Sequence, residues 1–243
     1  MIVLFTDFGY QGPYVGQMKA VLHQHAPAEP VVDLMHDVPA FDIRAAAFLL
    51  AAMIREFPMD TVFLCVIDPA VGSDRETAAV KIDGRWFVGP DNGLFSVVTK
   101  RADQVQWHHI RWRPERLTSS FHGRDLFAPI AARIAAGTLR ENDLVTCAPS
   151  TDPGWPEEYA AAVYIDHYGN VMSGMRADAI SQQAVIQING QRLHHARTFS
   201  EVPVGRAFWY ENSIGLVELA VNQGSAARVL GIEVGMPFTV RGG

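Results

Sequence analysis

Residues 62–75 read VFLCVIDPAVGSDR, and this stretch decides how the chain is expected to fold. An apolar run from Val62 to Ile67 stops at Asp68, and a turn of small residues follows. Such a run, bounded by turn residues, predicts a buried strand. Because ligands of open α/β sheets bind outside the carboxyl ends of the strands, Asp68 and Arg75 are candidate active-site residues. The alternative is that Asp68 caps a turn and Arg75 is a solvated loop charge.

Strands and helices alternate on both sides of this stretch. Apolar strands are predicted at residues 2–5, 31–34 and 61–67, and helices at residues 14–23 and 41–57. A hairpin at residues 78–88, with Asp-Gly at its turn, and an Ala-rich helix at residues 126–136 follow. This alternation predicts an α/β domain with a mostly parallel sheet.

The pattern changes near residue 150. The segment APSTDPGWP, residues 148–156, is rich in proline and is typical of a linker. Short alternating strands separated by glycine-containing turns follow, at residues 161–165, 184–188, 207–210, 216–219 and 237–240. Such strands predict a small β-barrel or a sandwich. We therefore predict an α/β domain over residues 1–151 and an all-β domain over residues 152–243.

Charge and composition exclude several classes of partner. The net charge of −6, without a basic block, argues against nucleic acid, because phosphate binding needs a basic face. The longest strongly apolar stretch, residues 45–54, is too short to span a bilayer, and the N-terminus lacks the basic region of a signal peptide. Two cysteines give no disulfide framework. A cytoplasmic location is therefore expected.

Carboxylates follow two of the predicted strands. Asp7 comes after the first strand and Asp68 after the third, and parallel strands open onto the same edge of a sheet. Such a pair can bind a metal, hold a ribose diol or accept a proton. His122 lies in SFHGRD, just before a helix, and is either a catalytic residue or a structural loop histidine. No H-E-x-x-H or C-x-x-C zinc pattern occurs in the sequence.

The C-terminal part has its own polar clusters, DHYGN at residues 166–170 and ENSIG at residues 211–215. Asn and Gly are turn residues, so two β-turns are one interpretation. The other interpretation is an adenine site, because an Asn amide can donate and accept hydrogen bonds along a base edge.

Several motifs together resemble one known family, the S-adenosyl-L-methionine (SAM) hydrolases, also called SAM hydroxide adenosyltransferases. These are relatives of the 5′-fluorinases and 5′-chlorinases. The motifs keep their order over nearly the whole chain: TDFG (6–9), DPAVGSDR (68–75), GPDNGL (89–94), FHGRD (121–125), DHYGN (166–170) and NSIGLVELAVNQG (212–224).

The resemblance implies an N-terminal α/β domain, a C-terminal β-barrel and a homotrimer whose substrate site lies between subunits. The reaction implied is hydrolysis of SAM to adenosine and L-methionine, without metal or other cofactor. Asp68, Arg75 and His122 match the set that holds the attacking water. In the N-terminal domain, Asp7 would hold the ribose hydroxyls, and Phe41 and Phe121 would flank the substrate.

The C-terminal domain would hold the two ends of the substrate. The resemblance assigns Asp166 and Ser213 to the methionine end. It assigns the adenine region to Tyr168 by stacking and to Asn170, Glu218, Asn222 and the backbone of Gln223.

The halogenating relatives differ at the water-binding positions. They carry Tyr in place of Asp68, Thr in place of Val71, Tyr in place of His122 and Ser in place of Gly123. Asp68 and His122 supply proton acceptors, so these residues favour water as the nucleophile. Ile214 replaces an Arg of the halogenases, which leaves open what holds the methionine carboxylate.

Three other functions remain as alternatives. One is a SAM 5′-halogenase, and another is a protein that binds adenosine or SAM without turning it over. The third is a metal-dependent hydrolase built on Asp7 and Asp68.

Overall fold

The structure, a computed structural model, describes residues 1–149 and 152–242. The chain divides into two compact units, one made of Met1–Ala47 and Ile54–Trp155 and the other of Phe48–Met53 and Pro156–Gly243. The predicted domain boundary ends the first domain at Thr151, which lies outside the described residues, as do Ser150 of the predicted linker and Gly243.

The first unit contains one mixed sheet of seven strands in the order β2-β1-β3-β5-β4-β6-β7. The strands are β1 (Ile2–Thr6), β2 (Val31–Met35), β3 (Val62–Val66), β4 (Thr77–Ile82), β5 (Arg85–Pro90), β6 (Val105–Ile110) and β7 (Leu144–Thr146). Pairing is parallel from β2 through β5 and antiparallel from β5 through β7. The predicted α/β character of this part is confirmed.

Helices accompany this sheet. They are α1 (Tyr14–His25), α2 (Ile43–Met53), α3 (Ser96–Lys100) and α4 (Ala128–Ala135). Met18 and Leu22 of α1 and Ile130 of α4 pack with Leu4 and Leu64 of the central strands in one buried cluster. Each such side chain stabilises the fold by about 1.5–3 kcal/mol when fully buried. This core fixes the strands whose ends carry the candidate site.

The register of the two central strands brings the predicted carboxylates to one edge. Strands β1 and β3 are parallel, and Thr6 is paired with Val66. The two strands therefore end at the same edge of the sheet. Asp7 comes directly after β1, and Asp68 comes two residues after β3.

The helix predicted at residues 126–136 begins differently from the prediction. A π-helical turn, Gly123–Phe127, precedes α4, and the Ala128 amide donates to the carbonyl of Gly123. Such turns are rare and are frequent at functional sites. This one follows His122 immediately.

The second unit is built from two antiparallel sheets, a short helix and the second half of α2, Phe48–Met53. One sheet has the order β12-β13-β9-β8 and the other β11-β10-β14. The elements are β8 (Tyr159–Ile165), β9 (Val171–Arg176), β10 (Val185–Ile188), β11 (Gln191–Leu193), β12 (Ala207–Glu211), β13 (Leu216–Val221), α5 (Ala226–Leu230) and β14 (Thr239–Arg241). The strand pairings of the described residues confirm the predicted β character of this part and group its strands in these two sheets.

Within the described residues, no helix has the length and apolar character needed to cross a membrane.

Candidate active site

A cavity of about 360 Å³ lies in the first unit and is bounded by the loops that follow β1 and β3. It brings together most of the residues predicted for the N-terminal half of the site. Its lining includes Asp7, Phe41, Asp68, Phe121 and His122.

Asp68 and Arg75 form a buried ion pair in this cavity's wall. The Arg75 Nε donates to Asp68 Oδ1 at 2.6 Å, and a second guanidinium nitrogen donates to Oδ2. Only 10% of the Arg75 side chain and 5% of the Asp68 side chain are exposed. The alternative interpretation of Arg75 as a solvated loop charge is therefore wrong. A bidentate pair of this kind holds the carboxylate in a fixed orientation.

His122 lies beside this pair. Its Nδ1 is 3.4 Å from a terminal nitrogen of Arg75. Because a guanidinium can only donate, Nδ1 accepts, and the neutral ring carries its proton on Nε2. Burial, with a contribution from the positive charge of Arg75, lowers the pKa of His122 below the ordinary 6.5. His122 is thus a neutral imidazole at pH 7 with an N–H group available to a ligand.

A close approach at Gly72 joins the two loops that carry these residues. Gly72 has φ of +84°, and a Cβ at this position would lie 2.5 Å from the carbonyl oxygen of Ser119. The loop of Asp68 and Arg75 therefore packs against the segment that leads to His122 in a way only glycine permits.

Asp7 is held by the backbone of Phe41. The Phe41 amide donates to Asp7 Oδ2 at 3.1 Å. Burial, with a contribution from the nearby charge of Asp68, raises the pKa of Asp7 above its ordinary value. Phe41 itself has φ of +64°, a strained conformation for a bulky residue, and the residue is 75% exposed. Strained residues of this kind cluster at ligand sites.

Two aromatic residues of this cavity were missed by the sequence analysis. Phe8 and Tyr14 line it and contact Phe121, with ring centroids 5.8 and 5.5 Å from that ring. Their signal was present, since Phe8 directly follows Asp7 and Tyr14 begins α1.

A chain of polar contacts beside Asp7 runs from buried Thr6 and His36 to exposed Asp33 and was also missed. The Thr6 hydroxyl lies 2.8 Å from His36 Nδ1, and His36 Nε2 lies 3.2 Å from Asp33 Oδ1. The Thr6 hydroxyl also accepts from the Phe8 amide, so this chain fixes the residues on both sides of Asp7. Partners 30 residues apart gave no local signal.

The second unit has a cavity of about 840 Å³ that carries most of the residues predicted for the C-terminal half. These are Asp166, Tyr168, Asn170, Ser213, Glu218 and Gln223. Asn222 is predicted with them but does not line this cavity. Its side-chain Nδ2 donates to the Val202 carbonyl at 2.6 Å.

The turn after β8 is organised by Asp166. Its Oδ1 accepts from the amides of Tyr168 and Asn170 at 2.9 and 2.8 Å, and its Oδ2 accepts from the Asn170 side chain at 3.0 Å. The turn interpretation of DHYGN is thus correct, and the same turn leaves Tyr168 75% exposed at the cavity.

Glu218 is the buried acid of this cavity, at 2% exposure. The Tyr210 hydroxyl donates to Glu218 Oε1 at 2.5 Å, and the Asn212 side-chain Nδ2 donates to Oε2 at 2.8 Å. Burial raises the pKa of Glu218 despite these two hydrogen bonds. Sequence analysis missed Tyr210 and Asn212, although Asn212 opens the motif that includes Ser213.

No group of three or more His, Cys, Asp or Glu side chains in residues 1–149 and 152–242 is arranged to hold a metal ion.

Comparison with known proteins gives matches over nearly the whole chain. A family model described as the SAM hydroxide adenosyltransferase N-terminal domain matches residues 2–143, and one described as the C-terminal domain matches residues 160–239. A relative from Thermus thermophilus, named (R)-S-adenosyl-L-methionine hydrolase, is 37% identical over 97% of this chain and 97% of its own. A relative of the same name from Salinispora arenicola is 34% identical over 98% and 96%.

A solved structure from Thermotoga maritima, titled an uncharacterized conserved protein, has the same fold. It superposes with a TM-score of 0.89 at 28% sequence identity and covers 99% of both chains.

The sheet, its carboxylate edge and these matches define an enzyme built from an α/β unit and a mostly β unit. The chain belongs to the SAM hydroxide adenosyltransferase family. The resemblance predicted from the sequence motifs is confirmed.

Proposed function

We propose that this protein hydrolyses SAM to adenosine and L-methionine by attack of water at C5′ of the ribose. One observation carries the proposal: the buried Asp68–Arg75 ion pair beside neutral His122 at the wall of the first cavity. Such a set can bind and orient a water molecule at a fixed point.

The hydrogen-bond directions support a role for each of the three residues. His122 Nε2–H donates to the oxygen of the water and leaves one lone pair directed at C5′. Asp68 retains lone pairs beyond those used by Arg75, so it accepts a hydrogen bond and then the proton of the water. Arg75 fixes Asp68 and stabilises the developing hydroxide character electrostatically.

The reaction then balances without any further group. The C5′–O bond forms while the C5′–S bond breaks, and the electron pair of that bond leaves with sulfur as a neutral thioether. The proton passes from water to Asp68 and on to solvent. Fixing water and substrate in line can supply about 7–11 kcal/mol of the barrier reduction, and a positioned base adds about two to four orders of magnitude.

The remaining predicted residues bind the substrate in this proposal. Asp7 holds the ribose diol between Phe41 and Phe121. Asp166 and Ser213 hold the methionine end. The adenine region is formed by the other predicted residues that line the second cavity: Tyr168, Asn170, Glu218 and Gln223. The Asn222 side chain, which donates to the Val202 carbonyl, holds the segment that leads to Gln223.

The finer features implied by the family also remain part of the proposal. They are a cytoplasmic homotrimer, closure of the C-terminal strands into a barrel, and a substrate site shared between the N-terminal unit of one subunit and the C-terminal unit of its neighbour. The exposed rings of Phe41 and Tyr168 support a shared site, since each has a face that a neighbouring subunit could cover.

Two features disfavour the halogenase alternative. A halide needs donors around it, whereas the Asp68 carboxylate is acceptor-only. A Cβ at Gly123, where the halogenases carry Ser, would lie 3.3 Å from the Phe121 ring and 3.4 Å from Val66.

The test is incubation of the chelator-treated protein with each sulfonium epimer of SAM in ¹⁸O-labelled water. The expected products are L-methionine and adenosine with ¹⁸O in the 5′-hydroxyl. Both epimers are needed because the name of the relatives specifies the R form. Intact SAM that still binds would favour a non-catalytic binder. Products only with chloride or fluoride would favour a halogenase, and activity lost with the chelator and restored by a divalent metal would favour a metal-dependent hydrolase.

A further inference from the structure

The second cavity contains a basic residue to which sequence analysis assigned no role. Arg228, on α5, is the sole basic side chain among the described residues that line this cavity. The acids of the same lining are Asp166 and Glu218. An amino-acid ligand carries both an ammonium and a carboxylate, and this lining offers a group of opposite charge for each.

Two contacts fix α5 to the turn that carries Asp166. The Ala227 amide donates to the carbonyl of Gly169 at 2.9 Å. Gly169 has φ of +86°, and any Cβ there would overlap the hydroxyl of Ser225, which caps α5. Arg228 is one residue beyond Ala227, so its backbone is held in register with the Asp166 turn.

The Arg228 guanidinium is available for a ligand. Arg228 is exposed, and its backbone amide donates to Ser225 Oγ at 3.2 Å. Within residues 1–149 and 152–242 its side chain has no hydrogen bond or ion pair. Planar guanidinium groups bind carboxylates in bidentate fashion, which gives both affinity and orientation.

We infer that Arg228 binds the α-carboxylate of the methionine end of the substrate and thereby selects ligands that carry one. The inference rests on the proposed function, in which this cavity receives both ends of the substrate and Asp166, on the turn that contacts α5, holds the methionine end. The side chain at position 214 is the apolar Ile214, so it cannot supply this charge.

The experiment compares SAM with its decarboxylated analogue, which keeps the sulfonium, the amine and the adenosine. In Arg228→Gln, we expect KM for SAM to rise about tenfold, as for loss of one charge-assisted contact, with kcat little changed. KM for the decarboxylated analogue should not change. Arg228→Lys should lie between Arg228→Gln and the wild type. Arg192→Gln, an exposed arginine of β11 outside this cavity, is the matched control.

The outcomes are distinct. An unchanged KM for SAM in Arg228→Gln, or an equal rise for both substrates, would overturn the inference while leaving the hydrolase proposal intact. A wild-type protein that does not turn over SAM would instead refute the proposed function. In that case, calorimetry compares the affinity of the protein for L-methionine with its affinity for methionine amide. A preference for L-methionine that is lost in Arg228→Gln would support the inference. A preference that this variant keeps would refute it.

Discussion

Asp68 is held in one orientation by Arg75 at the wall of the first cavity. The leaving sulfur needs no proton, and the water becomes acidic only as its bond to C5′ forms. In the proposed reaction Asp68 therefore accepts the proton late, and the ion pair with Arg75 keeps it directed at the water.

Asp68→Asn should lower kcat by about two to four orders of magnitude, because it removes the acceptor for the water's proton. Adenosine affinity, measured by calorimetry, should stay within a few-fold of the wild type. Asp74→Asn, an exposed residue of the same loop, serves as the control. Wild-type turnover in Asp68→Asn would remove this residue from the mechanism.

From the lowered pKa of His122 we predict how kcat/KM depends on pH. A group with a lowered pKa stays neutral further into the acid range, so kcat/KM should be constant from pH 8 down to the ordinary histidine value of 6.5 and decrease only below it. Protonation would place a second cation beside Arg75 and remove the acceptor at Nδ1. A rate profile that already falls by half at pH 7 would contradict this assignment.

Glu218 gives a prediction about stability. Its pKa is raised in the folded state, so the folded protein binds more protons than the unfolded chain once the pH exceeds the ordinary value of 4.5. Stability is therefore lost as pH rises from that value through the folded pKa. Glu218→Gln should raise the melting temperature at pH 7, and the gain should shrink toward pH 4.5. A gain that is independent of pH would show that burial of the charge is not the cause.

Among the elements, the loop after β3 depends on one glycine. Gly72→Ala should destabilise the protein by about 1–2 kcal/mol through its positive φ and by roughly 1–3 kcal/mol more through overlap with Ser119. Gly137→Ala isolates the first effect, because Gly137 has φ of +66° and nothing lies within 4 Å of its Cβ position. Denaturant unfolding of both variants measures the difference. Equal losses would mean that the loop can move away from Ser119.

The strands that carry the site were predictable because their signals are local. The apolar runs of β1 and β3, and the parallel pairing implied by the helices around them, were sufficient to bring Asp7 and Asp68 to one edge. The short elements α3, α5, β7 and β11 were not predicted, because three to five residues show too little periodicity. The six-residue strands β6 and β9 were also missed.

Contacts between distant segments were beyond prediction from the sequence. The burial of Arg75 against Asp68 depends on the path of the loop, and the Thr6–His36–Asp33 chain joins residues on different strands and loops. Asn222 was placed with the adenine residues by its motif, but in the structure its amide binds the Val202 carbonyl. A match to a family motif therefore did not predict the direction of the Asn222 side chain.

For the whole molecule, the proposed homotrimer with a site shared between subunits predicts complementation. Asp68→Asn disables the N-terminal half of the site and Asp166→Asn the C-terminal half, so each homotrimer should be nearly inactive. Subunits mixed after reversible dissociation should recover activity, because some interfaces then join two intact halves. Sedimentation checks that the mixture remains trimeric. Mixed trimers without activity would place both halves of each site within one subunit.

The left-handed backbone at Phe41 and Gln223 has a consequence for evolution under heat. Both residues have positive φ, +64° and +53°, and each lines one of the two cavities. Glycine at either position would relieve backbone strain, but at Phe41 it would remove a side chain assigned to substrate, and at Gln223 it would loosen a backbone assigned to adenine. Selection for thermal tolerance alone should therefore accept glycine at these positions early and sacrifice turnover, whereas selection for turnover should keep the strain.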